Sequence, residues 1–495
     1  MSRFTGFLHQ SSHYSIAQFL LIFASTISFP ILTRIFSPAE YGVMNLVSNA
    51  IVILLAVSKG GLQHGIVRFH NDYDADSGND RTFVASALFG GFGIAAAVAL
   101  LWFSFIFVLI QFRVSDPMIE KLLLLSGGLV FLRATENLLL AFLRAEQRTI
   151  YLNMYRVFAK YFTLGVIFLL LFGWARTLVT FYAAQAIAMG LACGIFLRLR
   201  FRNTSPQLAE FSPQVFKQVF MYGLPLIGFE LGSVVLNFAD RYLIQIFHGS
   251  NEVGFYSAGY NLADYVKDLV VLPMATAVMP IYMQTWAQKG AQATRAFLRK
   301  ALKSYLLLAV PLIFGCAAVG RDLISVLASA KFLSGSAIIP WVIAGMMLNG
   351  ALPILAAGLY IHKKTSKLVL YLALAIVLNV GLNLWAIPQW SIHGAAITKL
   401  LSFTVLVVLA TQHTLRELHL QIPWRALASY TLAALVMYCV LIQIKLPNAI
   451  ASLAINVFAG AAIYLAIVWV LDASVRERGQ ALLRKLSFRS FSREI

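Results

Sequence analysis

The chain has 495 residues, of which 60% are apolar and only 12% charged. A soluble domain carries about a quarter charged residues to keep its surface wet; half that fraction, with long uncharged runs, excludes a soluble globular protein and makes lipid the solvent. The net charge of +19 does not point to nucleic acid, because Lys and Arg fall in short links between apolar runs and form no continuous basic face or recognition module.

A spanning helix needs about 20 mostly apolar residues. Runs that meet this lie near 14–36, 42–68, 83–111, 119–143, 150–173, 178–198, 217–247, 253–284, 304–320, 336–360, 368–387, 392–415, 425–444 and 450–471. The first, from Tyr14 to Ile35, is too long for the core of a cleavable signal, and no small-residue cleavage site follows, so it reads as the first membrane helix. Pro273 and Pro280 predict a kink or tilt in the eighth. The expected fold is an all-α integral membrane protein of about fourteen transmembrane helices.

An even number of spans puts both termini on one side. With that side taken as the cytoplasm, 25 of the 39 Lys and Arg residues fall in cytoplasmic links and 8 in the opposite ones. A bias held across alternate loops predicts cytoplasmic termini. No link is long enough for a soluble domain. The longest polar stretches are about 70–81, 199–216, 285–303 and the tail after Asp472. In that tail Arg476, Arg478, Arg484, Lys485 and Arg489 interleave with Leu482, Leu483 and Leu486, a pattern for an amphipathic helix on an anionic leaflet or for a solvated basic tail.

A faint repeat divides the chain. Glu40-Tyr41-Gly42 follows the first span and Glu252-Val253-Gly254 the seventh; at the same offset Asn49 matches Asn261. Parallel halves follow from this: an N-terminal six-helix bundle at 1–205, a C-terminal six-helix bundle at 206–416, two additional helices at 417–472 and a basic cytoplasmic tail at 473–495.

No phosphate loop, zinc-protease, serine-nucleophile or dinucleotide signature occurs, so no enzyme activity, cofactor or metal is expected. Cys193, Cys316 and Cys439 lie far apart in apolar segments and read as small buried side chains. Asp72, Asp74 and Asp76 resemble the start of a calcium loop. Ser77 and Phe83 stand where such a loop needs Gly and an acid, which leaves a solvated acidic loop.

The informative residues are charges within the spans, where each costs roughly 2.5–3.5 kcal/mol unless it meets a cavity or a partner. Arg133 and Glu136 share a face of the fourth span, and Arg156 and Lys160 a face of the fifth. Lys59 in the second, Glu230 in the seventh and Lys399 in the twelfth stand alone in sequence, which favours a cavity-facing role. Asp264, Lys267 and Asp268 cluster on the eighth. The first half is thus biased to cations: Lys59, Arg133, Arg156 and Lys160 are expected to bind an anionic cargo, since a pyrophosphate needs several Lys or Arg donors. Glu136, Glu230, Asp264, Lys267 and Asp268 are expected in ion coupling or gating, with H⁺ or Na⁺ as the coupling ion. Asp240 and Arg241, near an outer helix end, read as an outer gate pair. The alternative for Arg133–Glu136 and Asp264–Lys267 is mutual neutralisation between packed helices. Tyr222-Gly223-Leu224-Pro225, early in the seventh span, supplies a flexible point, as does Pro30 in the first. Tyr260 and Tyr265 could stack on sugars, although packing is the stronger reading for each.

Phe36-Ser37-Pro38-Ala39-Glu40-Tyr41-Gly42, Gly60-Gly61-Leu62 through Arg68-Phe69, and Tyr222-Gly223-Leu224-Pro225 resemble the Wzx-type flippases of polysaccharide export. So do Asp240-Arg241-Tyr242-Leu243-Ile244, Val253-Gly254-Phe255-Tyr256-Ser257-Ala258 and Ile392-His393-Gly394-Ala395-Ala396. The order of these motifs carries the resemblance. It implies membership of the multidrug/oligosaccharidyl-lipid/polysaccharide exporter superfamily, with two six-helix bundles around a central cavity. The implied activity is alternating-access export of undecaprenyl-pyrophosphate-linked oligosaccharide (an O-antigen, capsule or exopolysaccharide repeat unit). Implied partners are the lipid-linked oligosaccharide, membrane lipid and the polymerase and assembly machinery. The implied location is the inner membrane of a bacterium. Rival readings are a drug/cation antiporter, against which the basic first half speaks, a peptidoglycan-precursor flippase, and a membrane polymerase or ligase, which would need a large outer loop.

Overall fold

The computed structural model of the chain describes residues 2–73, 79–112, 117–202, 205–444, 446–477 and 480; the side chains of residues 2–15, 79, 272, 273, 275 and 276 are not described. All regular structure among the described residues is helical. The helices are α1 (Ser2–Ile35), α2 (Pro38–Ser58), the short α3 (Leu62–Phe69), α4 (Asn79–Gln111), α5 (Pro117–Ala145), α6 (Thr149–Gly173), α7 (Leu178–Arg200) and α8 (Pro213–His248). After these come α9 (Ser250–Leu323), α10 (Ile339–Gly350), α11 (Leu352–Leu355), α12 (Ala357–Ile361), α13 (Thr365–Leu418), α14 (Trp424–Leu441) and α15 (Ala449–Leu471).

Twelve helices among the described residues are long and apolar enough to cross a membrane. Within these, α13 breaks at Ser391, whose φ is +47°, and α9 breaks at Gly290, whose φ is +73°. Two local readings differ from expectation. The stretch 285–303, expected as a link, is helix on both sides of Gly290, because its polar residues alternate at helical spacing with the buried Leu298, Ala301 and Leu302. The expected span 42–68 is two helices, since Gly60 and Gly61, at φ +56° and +66°, turn the chain between α2 and α3.

Met1–Gly254 form one compact unit and Phe255–Ile495 a second. The first reaches beyond residue 205, where the repeat places the division, because α8 packs on α2, α3 and α4. Its core joins Leu62 and Ile66 of α3, Phe83 of α4, Leu138 and Phe142 of α5 and Val219 of α8. The motif that opens α2 has a local physical origin. Ser37 accepts from the Glu40 backbone N–H at 3.3 Å while the Glu40 carboxylate accepts from the Ser37 N–H at 2.8 Å, with Pro38 in the first turn.

In the second unit α10 and α12 pack on α13. Gly394 lets α13 fold back past Ser391, since a Cβ there would lie 2.5 Å from the Ala386 carbonyl oxygen. Tyr430, Ala433 and Met437 of α14 and Tyr464 and Val468 of α15 bury against Val310 of α9. Polar contacts fasten this C-terminal pair to α9 at both ends: Lys303 Nζ lies 2.8 Å from Asp472, and the Ser452 hydroxyl donates to Asp322 at 2.6 Å. Asp74, Asp76 and the basic tail from Arg478 on, Gln480 excepted, lie outside the described residues.

Candidate functional site

α5 buries Leu129, Val130, Ala134, Leu138 and Leu139 at the packed side. Arg133 and Glu136, one turn apart, are only half-buried. On α6, Asn153, Arg156 and Lys160 follow one another at the three- and four-residue spacing of a single face. The fold brings these groups together. Arg133 has Glu136, Lys160 and Tyr182 as electrostatic neighbours; Glu136 has Tyr155, Arg133 and Arg156. No acid among the described residues lies within ion-pairing distance of Arg133, Arg156 or Lys160. Asn153 is 5% exposed, with neither amide atom hydrogen-bonded, and the Thr135 hydroxyl is likewise unpartnered. Three cations and one acid in this setting form an electropositive patch with spare donors, able to hold a multiply charged anion.

Lys59 and Glu230, expected to stand alone, are partners. The Lys59 ammonium donates to Glu230 Oε1, and Gln63 Nε2 donates to Glu230 Oε2 at 3.3 Å. The pair sits where α8 lies against the bend between α2 and α3. A Cβ on Gly61 would come within 2.3 Å of the Gly223 carbonyl oxygen, and one on Gly65 within 2.4 Å of the Val219 carbonyl oxygen. Two of the motifs quoted above, Gly60-Gly61-Leu62 and Tyr222-Gly223-Leu224-Pro225, thus touch backbone to backbone. Both sequences need glycine at the contact, and Gly61 also because of its left-handed φ.

In the second unit Lys267 Nζ lies 2.5 Å from Asp264 Oδ1 and 3.1 Å from Asp268 Oδ1, so this expected cluster is a half-buried trio with one surplus negative charge. Asp240 and Arg241 of α8, in the first unit and expected as an outer gate pair, are 0% and 2% exposed. Arg241 Nη1 donates to the Asn237 carbonyl at 3.0 Å, and the guanidinium rests 5.3 Å from the Phe238 ring centre. Lys399, expected to face a cavity, is buried with its ammonium 5.2 Å from the ring centre of Tyr260. That contact occupies Tyr260, which is 6% exposed, in packing. Of the cysteines, Cys193 and Cys316 are buried and Cys439 is exposed, against the expectation that all three would be covered.

Sequence reasoning passes over Gln63, Asn153 and Tyr155. The signal for Asn153 is present, since it precedes Arg156 and Lys160 at helical spacing. Gln63 and Tyr155 acquire their neighbours only from other helices.

Residues 7–286 match the family described as polysaccharide biosynthesis protein. The probable flippase AglR of Haloferax volcanii is 23% identical over 90% of this chain and 91% of its own length. The probable low-salt glycan biosynthesis flippase Agl15 of the same organism is 22% identical over 59% of this chain; the match spans 63% of that relative, less than two thirds of its length. Among solved structures, the lipid II flippase MurJ in an inward closed conformation superposes with a TM-score of 0.71 at 14% identity, covering 94% of this chain and 98% of that one, so the two share a fold. The family match takes in more than half of the residues, and on that ground the chain belongs to the polysaccharide biosynthesis protein family.

Proposed function

We propose that this chain is a flippase that moves an undecaprenyl-pyrophosphate-linked oligosaccharide, an O-antigen, capsule or exopolysaccharide repeat unit, across the membrane by alternating access. The observation that carries the reading is the cluster of Arg133, Arg156 and Lys160 on adjacent helices, three cations near the single acid Glu136 and none in a direct ion pair among the described residues. Desolvated cations are costly in a bilayer and are retained where an anion completes them. A pyrophosphate offers many oxygens, and guanidinium forks match that geometry better than a drug cation would. The names of the archaeal relatives and the MurJ-like fold support the same class of activity.

Glu136 and the Asp264–Lys267–Asp268 trio are the carboxylates we assign to coupling with H⁺ or Na⁺. We assign Asp240 and Arg241, buried as they are, to holding α8 in register rather than to contact with cargo. The basic links support cytoplasmic termini, and the motif resemblance supports a bacterial inner membrane, upstream of a polymerase that consumes the exported unit.

The test is reconstitution in liposomes with a fluorescent undecaprenyl-pyrophosphate glycan, scored by the fraction reachable from the opposite leaflet. Wild-type protein is expected to equilibrate the probe and the R133A/R156A double variant to leave it where it was added. Equal rates for both proteins would overturn the reading.

A further inference from the structure

The bend between α2 and α3 is built as an anion site and is filled by the protein's own carboxylate. Lys59 and Gln63 each donate to a different oxygen of Glu230, as two donors would cradle a phosphate. Gln63 is 7% exposed and keeps its Oε1 unpartnered, a spare acceptor for a ligand hydroxyl. His64 stands within electrostatic range of both Glu230 and Lys59, so a titratable ring borders the pair. Glu230 arrives from α8, which closes on the bend through Gly223 against Gly61 and Val219 against Gly65. At the open edge of this seam the Tyr73 hydroxyl donates to Gln218 at 3.0 Å. The Glu230 side chain is 29% exposed and that of Lys59 12%, so an incoming anion can reach the pair without first unfolding either helix.

We infer that Glu230 is a stand-in for cargo: the phosphate-bearing head group takes over Lys59 and Gln63, displaces the Glu230 carboxylate and so releases α8 from the bend. This rests on the proposed flippase activity and adds to it a second phosphate position and a cargo-driven release. A phosphate group carries more charge and more acceptor oxygens than a carboxylate, so it competes well for the same ammonium. Once displaced, Glu230 loses its partner, and the seam keeps only its glycine contacts, the apolar packing of Val219 on Leu62 and Ile66, and the Tyr73–Gln218 hydrogen bond. A ligand shifts a two-state contact only by binding one state better, and here the donors are free only in the open one.

The experiment cross-links Tyr73→Cys with Gln218→Cys across the seam in reconstituted full-length protein carrying Cys439→Ser. Undecaprenyl pyrophosphate is expected to lower the cross-linking rate about tenfold, and undecaprenol to leave it unchanged. Inorganic pyrophosphate acting as strongly as the lipid would support the exchange while assigning the site to the phosphate alone. E230Q is expected to cross-link poorly without any lipid. The K59E/E230K swap restores the pair but moves the cation onto α8, so it is expected to cross-link like the parent and to ignore the lipid. Cross-linking that does not respond to undecaprenyl pyrophosphate, in vesicles that still flip the labelled glycan lipid, overturns the exchange and leaves the transport reading intact. A seam that responds in vesicles without flipping overturns the transport reading and leaves the anion site.

Discussion

Gly42 and Gly254, equivalent positions of the internal repeat, meet backbone to backbone. A Cβ on Gly42 would lie 2.1 Å from the Ser250 carbonyl oxygen and 3.0 Å from the Gly254 nitrogen; one on Gly254 would lie 2.0 Å from the Pro38 carbonyl oxygen. The neighbours are backbone and cannot rotate away, so a methyl group must push two helix starts apart. Gly42→Ala and Gly254→Ala are each expected to cost about 1–3 kcal/mol through overpacking. Gly93→Ala and Gly228→Ala, where nothing lies within 4 Å, serve as controls. Thermal unfolding in detergent, followed by size-exclusion chromatography, distinguishes the two pairs.

Arg133→Ala and Arg156→Ala each remove a charged donor from the α5–α6 patch. The loss of one charge-assisted hydrogen bond is worth about 1.5–3 kcal/mol, so glycan export is expected to fall about ten- to a hundredfold. Membrane insertion should be unchanged, because removing an intramembrane charge lowers the insertion cost. Surface glycan by lectin binding, set against protein in the membrane fraction, checks both halves. Undiminished glycan in both variants would remove the patch from the mechanism.

Asp240 and Arg241 test the opposite situation, charges that are shut away. Removing one charged member of a fully buried pair takes away a polar contact where water does not reach to replace it, at a cost of about 3–5 kcal/mol. Asp240→Ala is therefore expected to reduce the amount of folded protein sharply, whereas Glu136→Gln, at a half-buried position, should be well tolerated in folding. Fluorescence-detected chromatography of solubilised membranes reads the difference directly.

Asp472 caps α15 and sits among Lys303, Tyr430 and Ser474. Burial by itself would raise its carboxyl, but hydrogen bonds from Lys303, Tyr430 and Ser474 outweigh that and hold it well below the usual carboxylate range. A depressed folded-state value contributes stability that is present above the unfolded value, near 3.9, and is lost only as pH falls through the lower folded one. The link between α9 and the C-terminal pair should accordingly survive mild acid. Asp472→Asn should loosen it by about 2 kcal/mol at neutral pH and flatten its dependence on acid. Protease nicking between α13 and α14, measured from neutral pH downward, would show this; equal nicking in both proteins would remove Asp472 from that role.

The helix start at Ser37 is legible in the sequence, because a capping box is complete within four consecutive residues. The stretch 285–303 is a link by hydropathy and a helix in the fold, for the converse reason. Hydropathy averages polar and apolar residues, and only periodicity shows that Leu298 and Leu302 bury on one side of a helix. At the α5–α6 patch, pairs within one helix, such as Arg133 with Glu136, are visible from spacing. That Lys160 stands near Arg133 while Lys59, expected in the same group, pairs with Glu230 instead is decided by packing between helices.

The medium and the all-helical, many-span character of the chain were determined by the sequence alone, because the cost of transferring each segment into lipid depends on that segment's own residues. Which charges stand open and which are answered was decided only by tertiary structure. Lys59 finds Glu230 at a distance of 171 positions, and Lys399 is covered by an aromatic ring from another helix. Electrostatic energy depends on separation in space, and packing alone brings residues so remote along the chain into contact.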